Sequence, residues 1–241
     1  MKKIINAILS YALFWVMYFL GVYIFKIRNR IKVEGRHNLP QGSRILYLSN
    51  HQTLIDSLLI GINVISLKDL AFRQKRIPYN APDKNNFFSH RIGKHFIRLL
   101  KNIPVQRDLR SPKAIERQIR SFCKILQDNN LVLFFEGTRT RNGQIGECKQ
   151  GIALTILQAK PDYVIPITLI GVQPIMPISS GFNYRKIYFG HRGKMIIGKP
   201  IDFNDILRSS TEESDKVKRI CRRVKIHAEL DYHPEKENPL S

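Results

Sequence analysis

Between Ser49 and Ser57 the chain reads S-N-H-Q-T-L-I-D-S, which puts an imidazole and a carboxylate five positions apart. An imidazole with its own carboxylate can act as a general base with an orienter. The spacing restricts how they meet. On a regular helix, five steps of about 100° leave the two side chains about 140° apart. His51 and Asp56 therefore converge only if His51 precedes the first helical turn and Asp56 reaches back from inside it. Asp56 would then hold one ring nitrogen, fix the tautomer and leave the other to take a proton. A single histidine is most often structural, so the pairing carries the chemistry.

A second polar stretch, L-F-F-E-G-T-R-T-R-N-G, runs from Leu133 to Gly143 and follows an apolar run into a glycine-containing loop. Arg139 and Arg141, the Thr138 hydroxyl and backbone N–H groups near Gly137 are the donors a phosphate requires. A charged turn is the plainer alternative, and the G-x-x-x-x-G-K-[ST] spacing of a Walker loop is absent. A third stretch, N-I-P-V-Q-R-D from Asn102, sets Arg107 after a short apolar run, and a fourth, Y-V-I-P-I-T-L-I from Tyr163, reads only as a buried strand.

These residues need a scaffold, and the pattern around them supplies one. Apolar runs at Arg44–Ser49, Leu131–Phe135 and Val164–Ile170 read as strands. Helical spacing starts near Leu54, spans Pro112–Asp128 through Ile115, Ile119, Phe122 and Leu126, and returns at Gly151–Ala159. Arg185–Phe189 and Lys194–Ile197 read as a further strand pair around G-H-R-G. The tail after Ser209 becomes helix-like and ends in a polar segment from Pro234. Strand–helix alternation predicts an α/β fold with a mainly parallel central sheet flanked by helices.

The N-terminus has a different character. Ile4 to Phe25 carry no charged side chain over 22 positions, with Tyr11, Trp15, Tyr18 and Tyr23 interspersed. At about 1.5 Å per residue this is long enough for a hydrocarbon core of roughly 30 Å. Spanning the bilayer and lying in its interface both fit. The run is too long for a signal peptide and no small-x-small site follows it. The heavier basic flank after it (Lys26, Arg28, Arg30, Lys32 and Arg36) predicts that the rest of the chain stays on the cytoplasmic side. The expected division is an anchoring segment, 1–30, and one domain, 31–241.

Composition bounds the partners. The 241 residues hold 40 Lys+Arg against 19 Asp+Glu, a formal charge of +21. Fifteen basic and four acidic residues fall between Lys68 and Lys124. Such a surplus suits an anionic membrane surface, phosphorylated substrates or nucleic acid. Three scattered cysteines argue against a disulfide framework or zinc module and for a reducing compartment.

Taken in order, the four polar and apolar stretches resemble the PlsC-type glycerophospholipid acyltransferases, the 1-acylglycerol-3-phosphate acyltransferase family. That family carries N-H-x-x-x-x-D, an apolar segment ending in Arg, F-P-E-G-T-R-S and a V-P-V strand. Here they are matched by Asn50, His51 and Asp56; Arg107; Phe134, Glu136, Gly137, Thr138 and Arg139; and Val164–Ile167. Smaller echoes are I-K-V-E-G from Ile31, C-K-Q-G around Lys149 and I-G-K-P-I from Ile197, so the resemblance covers nearly all of residues 31–205. Phe135 replaces the family's proline and Thr140 its serine. After the first helix, A-F-R-Q-K-R-I-P-Y-N stands where the family has Lys-x-Glu-Leu, within a stretch that is enlarged and basic.

The resemblance implies acyl transfer from acyl-CoA or acyl carrier protein to a lysophospholipid, most simply 1-acylglycerol-3-phosphate, on the cytoplasmic face of the inner membrane. His51 would be the base and Asp56 its orienter. Arg107, Gly137, Thr138 and Arg139 would hold the acceptor phosphate, and Glu136 would position this loop or the acceptor. Leu58, Leu59 and Ile60 would line the acyl path or simply pack the core. Because a thioester is already activated, neither metal nor cofactor is expected. The same transfer onto a lyso-aminolipid is the nearer alternative. A non-enzymatic basic protein on membranes or RNA is the distant one, and no aromatic-rich RNA-binding segment supports nucleic acid as a partner.

Overall fold

The computed structural model describes residues 2–84, 93–106, 111–140, 144–177 and 187–232. Its centre is a six-stranded sheet: β1 (Arg30–Glu34), β2 (Ile45–Ser49), β3 (Tyr79–Asn80), β4 (Leu131–Phe134), β5 (Tyr163–Ile170) and β6 (Arg192–Ile197), in the order β1-β6-β5-β2-β4-β3. Among the described residues four of the five ladders are parallel, and only β5 and β6 run antiparallel. The helices are α1 (Lys2–Val22), α2 (Asp56–Val64), α3 (Leu67–Phe72), α4 (Gly93–Leu99), α5 (Pro112–Ile125), α6 (Gln150–Ala159), α7 (Asn204–Leu207) and α8 (Glu213–Leu230). The mainly parallel α/β architecture is the one expected.

Side chains of β2 are buried along its whole length, as a central parallel strand covered on both faces requires. Alternation sends them to two cores. Leu46 and Leu48, with Leu131 and Leu133 of β4, meet Phe122 of α5, Ile152 and Ile156 of α6, and Ile220 and Val224 of α8. Ile45 and Tyr47, with Val132 and Ile165, face Leu59 and Ile60 of α2. Central strand β5 tolerates Pro166 because its ladder with β6 ends at Ile167, one residue short of it. The Pro166 carbonyl there accepts the Gly198 N–H at 2.9 Å.

Helix α1 does not stand apart from the domain. Phe14 packs with Leu70 and Ile77, the Ser10 hydroxyl donates to the Leu99 carbonyl at 2.6 Å, and Ile24 and Phe25 are buried in the core beside α2. Gly21 lies so near α2 that a Cβ there would come within 2.8 Å of Ile62. The opposite face, including Ile4, Ile8, Val16 and Phe19, is exposed.

One expected element is corrected. Of the strand placed over Arg185–Phe189, residues 185 and 186 lie outside the described residues and 187–189 are irregular. The polar groups of this segment are engaged elsewhere. Tyr188 N–H donates to Ile175, Gly190 N–H to Arg28, and the Tyr188 carbonyl accepts from Asn29 Nδ2. Strand β6 consequently pairs with β1 and β5. The polar segment from Pro234 also lies outside the described residues.

Candidate active site

Parallel strands β2 and β4 end side by side, Ser49 opposite Phe134, while β5 passes Ser49 at Ile167 and runs on to Ile170; the polar residues gather just beyond the carboxyl ends of β2 and β4. Open α/β sheets collect their ligands at such an edge. The turn between β2 and α2 is built by Asp56, the first residue of α2, where a negative charge is favoured by the helix dipole. Its Oδ2 lies 3.0 Å from His51 Nδ1 and accepts the backbone N–H groups of Gln52 (2.6 Å) and Thr53 (2.8 Å). Its Oδ1 accepts the Thr53 hydroxyl at 2.6 Å. His51 therefore precedes the helix and Asp56 reaches back to it, the only arrangement the spacing allowed. Both side chains are buried. A neutral His51 that donates Nδ1–H to the carboxylate carries its lone pair on Nε2, the form suited to removing a proton.

Contacts from β4, the loop after it and the end of β5 hold this turn. The His51 ring stacks on Phe134, with centroids 3.9 Å apart and planes 13° from parallel. Glu136 Oε1 accepts the His51 N–H at 3.2 Å, and the Thr140 N–H donates to the His51 carbonyl at 2.8 Å. The polar loop after β4 thus brackets the histidine backbone on both sides. Asn50 exchanges hydrogen bonds with the Leu169 backbone (2.9 and 2.7 Å), and Gln52 bridges the Leu169 carbonyl and the Val172 N–H (2.9 and 3.0 Å). Burial pushes the Glu136 carboxyl up to about 7, against the hydrogen bonds from the His51 and Gly146 backbones, with nearby Asp56 adding to the rise.

Gly137 takes a left-handed conformation, φ +69°, and Lys149 packs against it, its Cγ 3.1 Å from where a Cβ would stand. Thr138 is exposed and Arg139 half-buried. His51, Gly137 and Lys149 line one cleft of about 290 Å³ together with Val105, Ile115 and Phe122. A second, apolar cleft starts one residue past Asp56 and runs between α1 and α2, bounded by Phe14, Tyr18, Leu58, Ile62, Ile77 and Leu100. Of the three apolar residues proposed for the acyl path, Leu58 lines this cleft, whereas Leu59 and Ile60 are fully buried in the core. Arg107 and Arg141 lie outside the described residues.

Gln52, Phe134 as a ring partner of His51, and Lys149 at the cleft are site features without a role in the sequence reading. Gln52 had one legible signal: it lies in the run of five polar residues, Ser49 to Thr53, that follows the apolar stretch Ile45–Leu48. Phe134 stood out as the first residue of the matched motif, but its contact with the His51 ring depends on strand order and left no sign in the sequence.

The Acyltransferase family model matches residues 30–170, more than half of the chain. The chain belongs to the acyltransferase family. Among its relatives within that family, the chloroplastic 1-acyl-sn-glycerol-3-phosphate acyltransferase LPAT1 of Arabidopsis thaliana is 30% identical over 176 residues, 71% of this chain. This acyltransferase chain spans only 44% of that plant protein's length. The 1-acyl-sn-glycerol-3-phosphate acyltransferase of Bacillus subtilis is 26% identical over 79% of this chain and 83% of its own. In fold, the acyltransferase is similar to PlsC, the 1-acyl-sn-glycerophosphate acyltransferase of Thermotoga maritima. That match has a TM-score of 0.54, covers 97% of this chain and all of the other, and has 18% identity.

Proposed function

We propose that the chain transfers a fatty acyl group from acyl-CoA or acyl carrier protein to the free hydroxyl of 1-acylglycerol-3-phosphate, giving phosphatidic acid. The observation that carries this reading is the buried His51–Asp56 pair at the wall of a cleft, bracketed by the Glu136–Thr140 loop. His51 Nε2 removes the acceptor hydroxyl proton as its oxygen attacks the thioester carbonyl. The new C–O bond forms, the C–S bond breaks, and the imidazolium returns the proton to the departing thiolate. Because the thioester carries the activation, the step as written calls for neither metal nor cofactor.

Asp56 stabilises the imidazolium and holds the ring. Arg139, with Gly137, Thr138 and Arg107, binds the acceptor phosphate. In support, Arg139 directly precedes Thr140, whose N–H meets the His51 carbonyl. The contacts of Glu136 suit a brace between loop and turn more than a substrate ligand. The apolar cleft beside Leu58 suits an acyl chain.

For the membrane, we read α1 as lying in one leaflet on the cytoplasmic face rather than crossing. Lys3–Arg28 is long and apolar enough to span. A spanning helix, however, needs about 20 residues surrounded by lipid, and from Ser10 to Phe25 one face of this helix is pressed against the domain.

The test offers purified protein lysophosphatidic acid beside competing lyso-lipids, with acyl-CoA and acyl carrier protein supplied separately. Lysophosphatidic acid is expected to be acylated preferentially, and His51→Ala to abolish transfer while remaining folded. Near-wild-type turnover in folded His51→Ala would refute the mechanism; preference for a lyso-aminolipid would refute the acceptor.

A further inference from the structure

The basic segment that departs from the family pattern plays no part in the chemistry above, yet it is firmly held. Helix α3 opens with a capping box in which Ser66 and Asp69 satisfy each other's backbone N–H groups. Buried Asp69 also receives Arg76 at 3.0 Å. Behind it, the Lys101 ammonium donates to the carbonyls of Gln74 (2.7 Å) and Ile77 (3.0 Å), and Asn130 donates to the Arg76 carbonyl at 2.9 Å. Leu70 fills the core contact with Phe14. On this rigid base Phe72 is 83% exposed and Leu67 54% exposed. Lys68, Arg73 and Lys75 are exposed around them, and Lys68 and Lys75 make no ion pair among the described residues.

An isolated exposed phenylalanine is ordinary. This one is not isolated, because Phe72, Arg73 and Lys75 line the same surface recess as Tyr11 of α1. The apolar free face of α1 therefore continues into an aromatic ring encircled by cations. We propose that Leu67–Arg76 is a second membrane contact, in which Phe72 enters the lipid interface beside α1 and Lys68, Arg73 and Lys75 engage anionic headgroup phosphates. The inference rests on the reading that the free face of α1 lies in lipid. Two contacts at an angle would fix the tilt of the domain over the surface, which one helix alone leaves free to roll. The occupant is a bilayer rather than an acidic protein because the patch is continuous with the anchor. The cations account for the anionic lipid preference.

The sequence contains a single tryptophan, Trp15, which makes a local readout simple. In a full-length Trp15→Phe background, Phe72→Trp and Phe19→Trp each place one reporter, on the segment and on the free face of α1. Each protein is reconstituted into phosphatidylcholine vesicles or into an equal mixture with phosphatidylglycerol, with brominated acyl chains as quencher. Both tryptophans are expected to be blue-shifted and quenched, and the one at 72 more strongly in the anionic mixture. Adding Lys68→Gln and Lys75→Gln should reduce quenching at 72 while leaving it at 19. Quenching at 19 without any at 72 would overturn the second contact and leave the α1 reading intact; no quenching at either would overturn both. If acyl carrier protein, and not lipid, shifts the emission at 72, the patch docks an acidic protein and the proposal is wrong.

Discussion

Asp56 accepts four hydrogen-bond donors, and only one of them comes from an imidazole. That distribution separates its structural role from the chemical one proposed for it. In Asp56→Asn the amide oxygen can still face the His51, Gln52 and Thr53 N–H groups, and the Thr53 hydroxyl can turn to accept from the new NH₂. The fold should survive, while the lost negative charge leaves the imidazolium unsupported. We expect turnover to fall by about 10³–10⁴-fold, as for other His–carboxylate pairs, with little change in melting temperature; steady-state kinetics beside a thermal melt decides. Glu136 behaves differently. Burial pushes its carboxyl up to about 7 in the fold from an ordinary 4.5, so between those values the folded state binds more protons and stability declines as pH rises. The decline is on the order of 3 kcal/mol. Glu136→Gln removes it, yet loses an acceptor for one of the two backbone N–H groups, at a cost of about 1–3 kcal/mol. The variant should therefore be less stable than wild type near pH 5 and close the gap towards pH 8, measured by denaturant unfolding. A gap that widens with pH would mean Glu136 is not held in this environment.

At the scale of elements, α1 has two faces with separate duties. Its inner face belongs to the fold: Phe14→Ala would hollow the small core shared with Leu70 and Ile77 and should cost about 3 kcal/mol. Its outer face contributes nothing to packing, so Ile8→Glu with Val16→Glu, both at exposed positions, should leave unfolding unchanged and shift the protein out of the membrane fraction. Fractionation and calorimetry on the two variants give opposite patterns if the faces are assigned correctly. Removing the whole helix would confuse the two effects, because Ile24 and Phe25 at its continuation are core residues.

The molecule as a whole carries +21, and on the proposed membrane reading this should add an electrostatic component to binding beyond the apolar one. The screening length falls from about 10 Å at 0.1 M salt to about 3 Å at 1 M. Wild-type protein, held by apolar contact, should stay on anionic vesicles across that range. The Ile8→Glu, Val16→Glu protein should retain some binding at low salt and lose it at high salt, as read by vesicle sedimentation. Residual binding that resists salt would mean that the apolar contacts left in place, Phe72 among them, suffice to hold the protein.

Much of this was determined by local sequence. Strands β2, β4 and β5 and helices α5, α6 and α8 follow from runs and periodicities that lie within each segment. The His51–Asp56 pair was legible for the same reason, since five residues leave only one way to meet. What lay beyond the sequence is everything that joins distant segments. Strand β1, short and half-polar, exists because β6 offers a ladder some 160 positions later. By the same token, residues 187–189 lose their expected strand to partners of Tyr188 at Asn29 and Ile175. Phe134 lies over His51 only because β2 and β4 are parallel neighbours ending in register. The two faces of α1 also look alike in a uniformly apolar run. Periodicity records how a segment presents its own side chains; which segment it then meets is decided by strand order and core packing, and these brought Glu136 and Phe134 to the histidine.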